Sequence, residues 1–164
     1  FIAQSVMNYN KTSRSHDFIK ISDDICDEWK LVENVDIHKT YIKKTAYKSI
    51  PKFLGQLKAE YVIFFNLSYG VPAFSFNIWK SSGVLLSLEE IRKISFVRAS
   101  PKDFYSMITQ QEHPILSTPY FVVHPCHTAS LLAMLKESSK NIITTFLSII
   151  TPLVPLNLPI EYGR

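Results

Sequence analysis

The residues of this chain best suited to chemistry lie in one short segment, HPCHT, which directly follows the apolar run YFVV. Cys126 lies there between His124 and His127. A cysteine with imidazole neighbours can be a nucleophile or a metal ligand, and a cysteine in an apolar setting is often a small buried hydrophobe. The surroundings of Cys126 must decide among these three roles.

These surroundings favour the nucleophile. Pro125 stiffens the backbone before the cysteine, and we expect Thr128 or Ser130 to cap a helix that runs through Leu135. A thiol near a helix N-terminus and near imidazoles has its thiolate favoured, which makes it a better nucleophile. The other cysteine, Cys26, lies in DDICDEW among carboxylates that oppose thiolate formation, and we predict that it is buried and inert.

Zinc binding and hydrolysis are alternatives with less support. A structural zinc site usually includes a Cys-x2–4-Cys pair, and the sequence contains no such pair, so we expect no metal. A hydrolytic cysteine enzyme needs a general base held by a third group. Histidines could supply the base, but no protease signature surrounds the cysteine. A cysteine that passes an acyl group to an amine needs only an accessible thiol, an oxyanion donor and a pocket that favours neutral lysine.

The composition predicts a single soluble globular domain over residues 1–164, with 46% hydrophobic and 20% charged residues. The net charge of +4 is spread along the chain, which argues against nucleic-acid binding. The chain has only two cysteines, and this low number indicates free thiols and a cytoplasmic location. The most apolar segment, 141–160, is interrupted by three prolines, so we predict a core helix and an extended tail rather than membrane insertion.

The hydrophobic patterns predict an α+β fold, in which flanking helices pack on an antiparallel sheet of about four strands. The sheet is predicted as a meander, and a short strand follows later at 120–123. The predicted strands of the meander are 28–33, 38–50, EYVIFFNLS and AFSFNIW. Helices are predicted up to about Cys26, from Ser87 and Ser100 with their capping signals, and over 141–151.

Two segments carry a resemblance to a known family. QQEHPILSTPYFVVHPCHT, followed by FLSIITPLVPLNLPIEY, is similar to the E2-like conjugating enzymes of autophagy represented by autophagy-related protein ten. The segments SYGVP and SLEEI match more loosely, and together the matches cover most of the chain. The resemblance implies a reduced E2-like core, in agreement with the predicted order of helix, meander and helix.

The resemblance also implies an activity and partners. The cysteine at the position of Cys126 takes the ubiquitin-like modifier, autophagy-related protein twelve, from the activating enzyme, autophagy-related protein seven. It then passes the modifier to a lysine of the target, autophagy-related protein five. No metal or small cofactor is implied, because the activating enzyme consumes the ATP. The alternative is a non-catalytic E2-like adaptor that binds the same partners.

Several residues are candidates to support the cysteine. Ordinary E2 enzymes use an HPN asparagine for the oxyanion, whereas His113-Pro114 is followed here by isoleucine. Asn66 and Asn77 are candidates by residue type, and both also suit ordinary strand positions. Tyr69, in SYGVP, matches the turn between the central strands of the family. His124 could donate a hydrogen bond near the thioester or simply fix the loop.

The strand at 38–50 has a pattern that suggests a docking surface. Lysines lie on both of its faces, which is typical of a strand at the edge of a sheet. A free edge can accept a strand from a partner. We therefore expect the target to dock here, with Tyr41 and Tyr47 as anchors and Lys43 influencing the encounter. The alternative is that the lysines only keep the edge soluble.

Overall fold

The computed structural model describes residues 2–50, 55–97, 100–135 and 139–163, without the side chains of 2–12 and of His127. The helices and strands in chain order are α1 (Ile2–Asp24), β1 (Lys30–Val32), β2 (Tyr41–Ser49), β3 (Gln56–Asn66), β4 (Val71–Trp79), α2 (Leu88–Ile94), α3 (Pro101–Met107), β5 (Ile108–Glu112), β6 (Pro119–Val123), α4 (Pro125–Leu135) and α5 (Ile142–Ile150). No helix within these described ranges is long and apolar enough to cross a bilayer.

The described strands form one antiparallel sheet in the order β1-β2-β3-β4-β6-β5. The predicted α+β class is confirmed, and the sheet has six strands where about four were expected. β6 corresponds to the predicted short strand and pairs with both β4 and β5. The sequence did not predict β5, because only the first residue of its segment ITQQE is buried and the segment shows no hydrophobic alternation.

The helices pack on one face of the sheet, which we call the inner face. Alternate residues of β3 and β4, among them Tyr61 and Phe74, meet Phe18 of α1 and Phe146 of α5 in the main core. The segment after α5 also contributes to this core. Its Tyr162 stacks on Phe18 with 4.7 Å between ring centroids. The predicted extended tail is therefore a packed segment with two short 3-10 turns.

The lysines of β2 do not all face solvent. On the inner face, Lys44 is almost fully buried and forms an ion pair with Asp27. Lys48, two residues later, donates to the carbonyl of Pro155 in the C-terminal segment. Both inner-face lysines therefore have structural partners, and the interpretation that they face solvent is wrong.

The pairing of β2 also differs from that of a simple edge strand. β1 pairs with only its first three residues, Tyr41 to Lys43. From Lys44 to Ser49, β2 pairs with β3 on one side and with no described strand on the other. The edge prediction therefore applies to the second half of β2 alone.

The helix starts near the sheet follow their sequence signals. Ser87 and Glu90 form a reciprocal capping box at α2, in which the Ser87 N–H donates to the Glu90 carboxylate over 2.9 Å. The Lys80 ammonium, 2.8 Å from the same carboxylate, contributes most to lowering the pKa of Glu90 to about 2. Asn141 caps α5 without such a box: its side-chain oxygen accepts the N–H of Ile143 over 2.9 Å. These local capping bonds were predictable because they need only neighbouring residues.

Candidate active site around Cys126

Cys126 is an exposed residue in the first turn of α4. The helix begins at Pro125, and the prediction that Thr128 or Ser130 caps it is wrong. Proline suits the first position of a helix, because it lacks the N–H that would have no partner there. Thr128 is instead buried inside the helix, where its hydroxyl donates to the carbonyl of Pro125 over 3.1 Å. The thiol is therefore presented at the N-terminal end of an 11-residue helix.

His124 fixes the start of this helix. Its backbone N–H donates to the carbonyl of Met107 over 2.8 Å, which ties the chain to the end of α3. Its Nδ1 accepts the backbone N–H of Cys126 over 3.3 Å. A side chain that accepts the N–H of the second helical residue acts as an N-cap. Of the two predicted roles of His124, this geometry supports loop fixing directly.

The hairpin turn between β3 and β4 lies beside this loop. The ring of Tyr69 meets the ring of His124 edge to face, with 6.0 Å between centroids. The side-chain oxygen of Asn66 accepts the Tyr69 N–H over 3.1 Å, and the Asn66 carbonyl accepts the Gly70 N–H over 2.9 Å. Gly70 has φ of +67°, a conformation that glycine adopts without the cost a side chain would add. The fold thus brings the ring of Tyr69 against His124 of the cysteine loop, and Asn66 holds the turn that carries Tyr69.

Asn77 lies elsewhere. Its side chain is buried, and its amide nitrogen donates to the carbonyl of Pro119 over 2.9 Å. Pro119 begins β6, whereas Cys126 lies beyond the other end of that strand. A five-residue strand is roughly 15 Å long, so the Asn77 amide is too far away to contact an acyl group on Cys126. The expected role of Asn77 at the oxyanion is therefore not supported.

His113 has a structural position on the opposite, outer face of the sheet. It is fully buried against Phe64 and Tyr120, and its Nδ1 accepts the N–H groups of Ile115 and Leu116 over 3.1 and 3.2 Å. Burial lowers the pKa of His113 to about 4, so the ring is neutral near pH 7. This side chain holds the 113–118 loop over the outer face and does not face the thiol loop.

Cys26 is also exposed, so the prediction that it is buried is wrong. It lies in the turn after α1 and has a positive φ of 55°. Its neighbour Asp27 binds the Lys44 ammonium and accepts the hydroxyl of Tyr162 over 2.9 Å. The fold uses this acidic turn as an anchor for β2 and the C-terminal segment, and that anchoring leaves the thiol on the surface.

The predicted docking residues share the outer face of β2 but differ in exposure. Tyr47 is 63% exposed, whereas Tyr41 is half-buried against the cluster below the 113–118 loop. Lys43 forms an ion pair with Glu60, with 3.0 Å between nitrogen and oxygen. Tyr41 lies level with Phe64, near the hairpin turn, and Tyr47 lies toward the other end of the strand. Tyr47 is therefore the most available of the three.

The arrangement is suited to acyl transfer through sulfur. The N-terminal end of a helix favours negative charge, and the Cys126 thiol projects there into solvent. Within the described part of the chain, no three histidine, cysteine or acidic side chains lie close enough together to hold a metal ion. The zinc alternative thus rests on the sequence segment alone.

Comparison with known proteins identifies relatives. The family described as "autophagocytosis associated protein, active-site domain" matches residues 3–161. The human protein named ubiquitin-like-conjugating enzyme ATG10 is 38% identical over 121 residues, which are 66% of this chain and 53% of the human protein. The proteins of the same name from Arabidopsis thaliana and Dictyostelium discoideum are 30% and 32% identical, each over 62% of this chain and over 51% and 52% of their own lengths. The chain thus spans about half the length of the curated relatives it matches.

Proposed function

Because the chain belongs to the autophagocytosis-associated protein active-site domain family, we propose that it is an E2-like conjugating domain that carries a ubiquitin-like modifier on Cys126. The observation that supports this most is the exposed thiol at the N-terminal end of α4. A carrier cysteine must be reached by two large proteins in turn, and an exposed first turn meets that need. His124 would serve as the positioning residue that keeps this turn in place.

The first proposed step is transthioesterification. The Cys126 thiolate attacks the carbonyl carbon of the modifier's C-terminal thioester on the activating enzyme, here autophagy-related protein seven. The new C–S bond forms, the old C–S bond breaks, and the activating enzyme's thiolate leaves. The modifier, autophagy-related protein twelve, is then a thioester of Cys126. The thiolate suits the helix terminus both as attacking group and as the later leaving group.

The second proposed step is aminolysis. A neutral lysine amine of the target, autophagy-related protein five, attacks the thioester carbonyl and an isopeptide bond forms. The C–S bond to Cys126 breaks, the thiolate leaves, and the amine loses a proton to solvent or to a nearby base. The hairpin turn contributes the polar groups of Tyr69 and Asn66 beside the loop, and we assign them a supporting role at this step. The cytoplasm, where thiols stay reduced, is the compartment that fits this chemistry.

The target would dock on the unpaired edge of β2. From Lys44 to Ser49 this strand has no described neighbour on the edge away from β3, so backbone groups there can pair with an added strand. The exposed ring of Tyr47 offers an anchor, and aromatic anchors dominate many interfaces. Because Lys43 already pairs with Glu60, it would affect the rate of association with the target more than the affinity of the complex.

One experiment tests the activity. The protein is mixed with activating enzyme, modifier and ATP, and the products are separated with and without reductant. The wild type should give a reductant-sensitive adduct, Cys126→Ser a slower and reductant-resistant ester, and Cys126→Ala none. Cys26→Ser is the matched control, because Cys26 is also exposed, and it should load normally.

Two additions separate the alternatives: the target is included in the reaction, and a pull-down of each variant measures binding of the partners. Modification of the target by Cys126→Ala at the wild-type rate would refute the carrier role. Normal binding of the partners by every variant, with no adduct on any of them, would instead identify the chain as a non-catalytic adaptor.

A further inference from the structure

Two lysine ammonium groups share one carboxylate on the inner side of the unpaired edge of β2. Lys44 forms an ion pair with Asp27, and Lys48 lies two residues further along the same face of the strand. Both oxygens of Asp27 are in use, because one pairs with Lys44 and the other accepts the hydroxyl of Tyr162 over 2.9 Å. Two ammonium groups and one carboxylate therefore leave an excess of positive charge at Lys48.

Lys48 forms no ion pair with any described carboxylate. Its ammonium donates to the backbone carbonyl of Pro155, a neutral acceptor that also accepts the hydroxyl of Tyr61 over 2.9 Å. An ammonium has three N–H donors, and the described residues provide an acceptor for one of them. Burial, and then the charge of Lys44, lower the pKa of Lys48, so its half-buried charge is incompletely compensated within the chain.

This charge lies where an added strand would come. On the side away from β3, no described strand pairs with β2 beyond Lys43. A strand that paired with this edge would direct every second side chain to the inner face, as β2 itself does. Directly opposite residues of neighbouring antiparallel strands have Cβ atoms about 5 Å apart. An aspartate or glutamate opposite Lys48 would therefore lie within reach of its ammonium.

We propose that the target's docking strand carries a carboxylate that pairs with Lys48 on the inner face, an inference that rests on the proposed docking at this edge. The unpaired edge sets where the strand lies, and Lys48 selects the side chain that the strand carries. An apolar residue at that position would desolvate the ammonium without pairing it, and a basic residue would repel it.

The outer face of the same edge adds a second requirement. Tyr47 precedes Lys48 directly, so the residue opposite its exposed ring is the sequence neighbour of the proposed carboxylate and points to the other face. An aromatic or β-branched side chain packs well against a cross-strand tyrosine. The partner segment is therefore an extended one in which an acidic residue stands next to an aromatic or β-branched residue.

Single-turnover transfer from loaded Cys126, measured over a series of target concentrations, tests the proposal. Lys48→Met removes the charge, and the C-terminal segment stays anchored because Tyr61 still donates to Pro155. The target concentration that gives half-maximal transfer should rise about tenfold, with the maximal rate unchanged, because a lost interfacial charge pair weakens binding on that scale or more. Lys48→Arg keeps the charge and should resemble the wild type. Lys93→Met is the matched control: it removes the charge of a half-exposed lysine on α2 and should have no effect.

Charge reversal then identifies the partner residue. Lys48→Glu should transfer more poorly than Lys48→Met, and a target variant with a single aspartate or glutamate changed to lysine should restore transfer by Lys48→Glu. The same target variant should be a poor acceptor for the wild-type chain.

The possible failures are distinguishable. A wild-type half-maximal concentration in Lys48→Met, or the absence of any target variant that restores Lys48→Glu, would overturn the proposal while leaving the carrier role of Cys126 intact. Poor loading of modifier on Cys126 in Lys48→Met would assign Lys48 a structural role and would also overturn it. Failure of the wild type to load would overturn the proposed function itself.

Discussion

His113→Asn should make the folded chain less sensitive to acid. In the wild type, Nδ1 of His113 accepts two backbone N–H groups of the 113–118 loop, so the neutral ring must carry its proton on Nε2. Nε2 is buried and has no partner among the described residues. Protonation at Nδ1 would remove both accepted bonds and place a charge against Phe64 and Tyr120. An asparagine oxygen can accept the same N–H groups and does not titrate.

The size and sign of the effect follow from the pKa. Burial lowers the pKa of His113 from 6.5 to about 4 in the folded chain. Below pH 6.5 the unfolded chain takes up a proton that the folded chain does not, so stability is fully present above pH 6.5 and is lost as the pH falls toward 4. Between pH 7 and pH 5, this difference amounts to up to about 2 kcal/mol in the free energy of unfolding. Lower pH is avoided because carboxylates begin to titrate there.

The assay is urea unfolding at a series of pH values from 7 to 5, followed by tryptophan fluorescence. The wild type should lose stability over this window, and His113→Asn should lose less by about the amount calculated above, whatever its stability at pH 7. His16→Asn is the matched control, because His16 is exposed on α1 and its pair with Glu33 is long, at 3.6 Å. Parallel pH curves for the wild type and His113→Asn would refute the assignment of a buried neutral imidazole.

Two further predictions concern the thiols and the docking edge. In a brief iodoacetamide reaction of the native chain, Cys126 should be labelled faster than Cys26. Both thiols are exposed, so the difference must come from the helix terminus at one and the carboxylates at the other; equal labelling by peptide mass spectrometry would contradict this electrostatic argument. Tyr47→Ala should load modifier on Cys126 normally and slow transfer to the target severalfold, and Tyr105→Ala, an exposed tyrosine on α3, should not. An unchanged transfer rate in Tyr47→Ala would remove this residue from the docking surface.

The sequence predicted best those features that depend on neighbouring residues. Ser87 and Ser100 were identified as helix caps, and both accept the expected N–H groups. The resemblance to the autophagy conjugating enzymes is confirmed by the family match. β5 was missed because an edge strand with one buried residue has no hydrophobic alternation to read. That the whole chain forms one domain stays a prediction.

The start of α4 was predictable but was placed too late. Proline favours the first helical position, and Pro125 begins α4 just as Pro101 begins α3. Thr128 is of a preferred N-cap type, so it predicts a helix start three residues too late. The residue that performs the capping is His124, which is not among the preferred N-cap types. A rule about side-chain type therefore failed where a rule about backbone chemistry would have succeeded.

The rest of the site depends on contacts that sequence spacing does not encode. Tyr69 and His124 are far apart in the chain, and only the pairing of β4 with β6 brings the hairpin turn to the cysteine loop. Asn66 and Asn77 were equivalent as residue types, yet the strand direction leaves one at the turn and the other at the far end of β6. An amide in a central strand thus has no assigned function until the sheet order is known.

The lysines of β2 show how one pattern can have two physical causes. Alternation places Lys43 on the outer face and Lys44 and Lys48 on the inner face, and lysine on both faces normally means solvent on both. Here the inner lysines meet the half-buried carboxylate of Asp27 and the carbonyl of Pro155, groups supplied by the turn after α1 and by the C-terminal segment. A lysine can lie within a core when its charge is compensated, and the Lys44 ammonium pairs with Asp27 and lies over the ring of Trp29, 5.7 Å from its centroid. The free edge of β2 is therefore inferred from the stretch beyond Lys43, where no described strand pairs with it on the side away from β3. The docking hypothesis depends on that stretch and on Tyr47 rather than on the pattern of lysines.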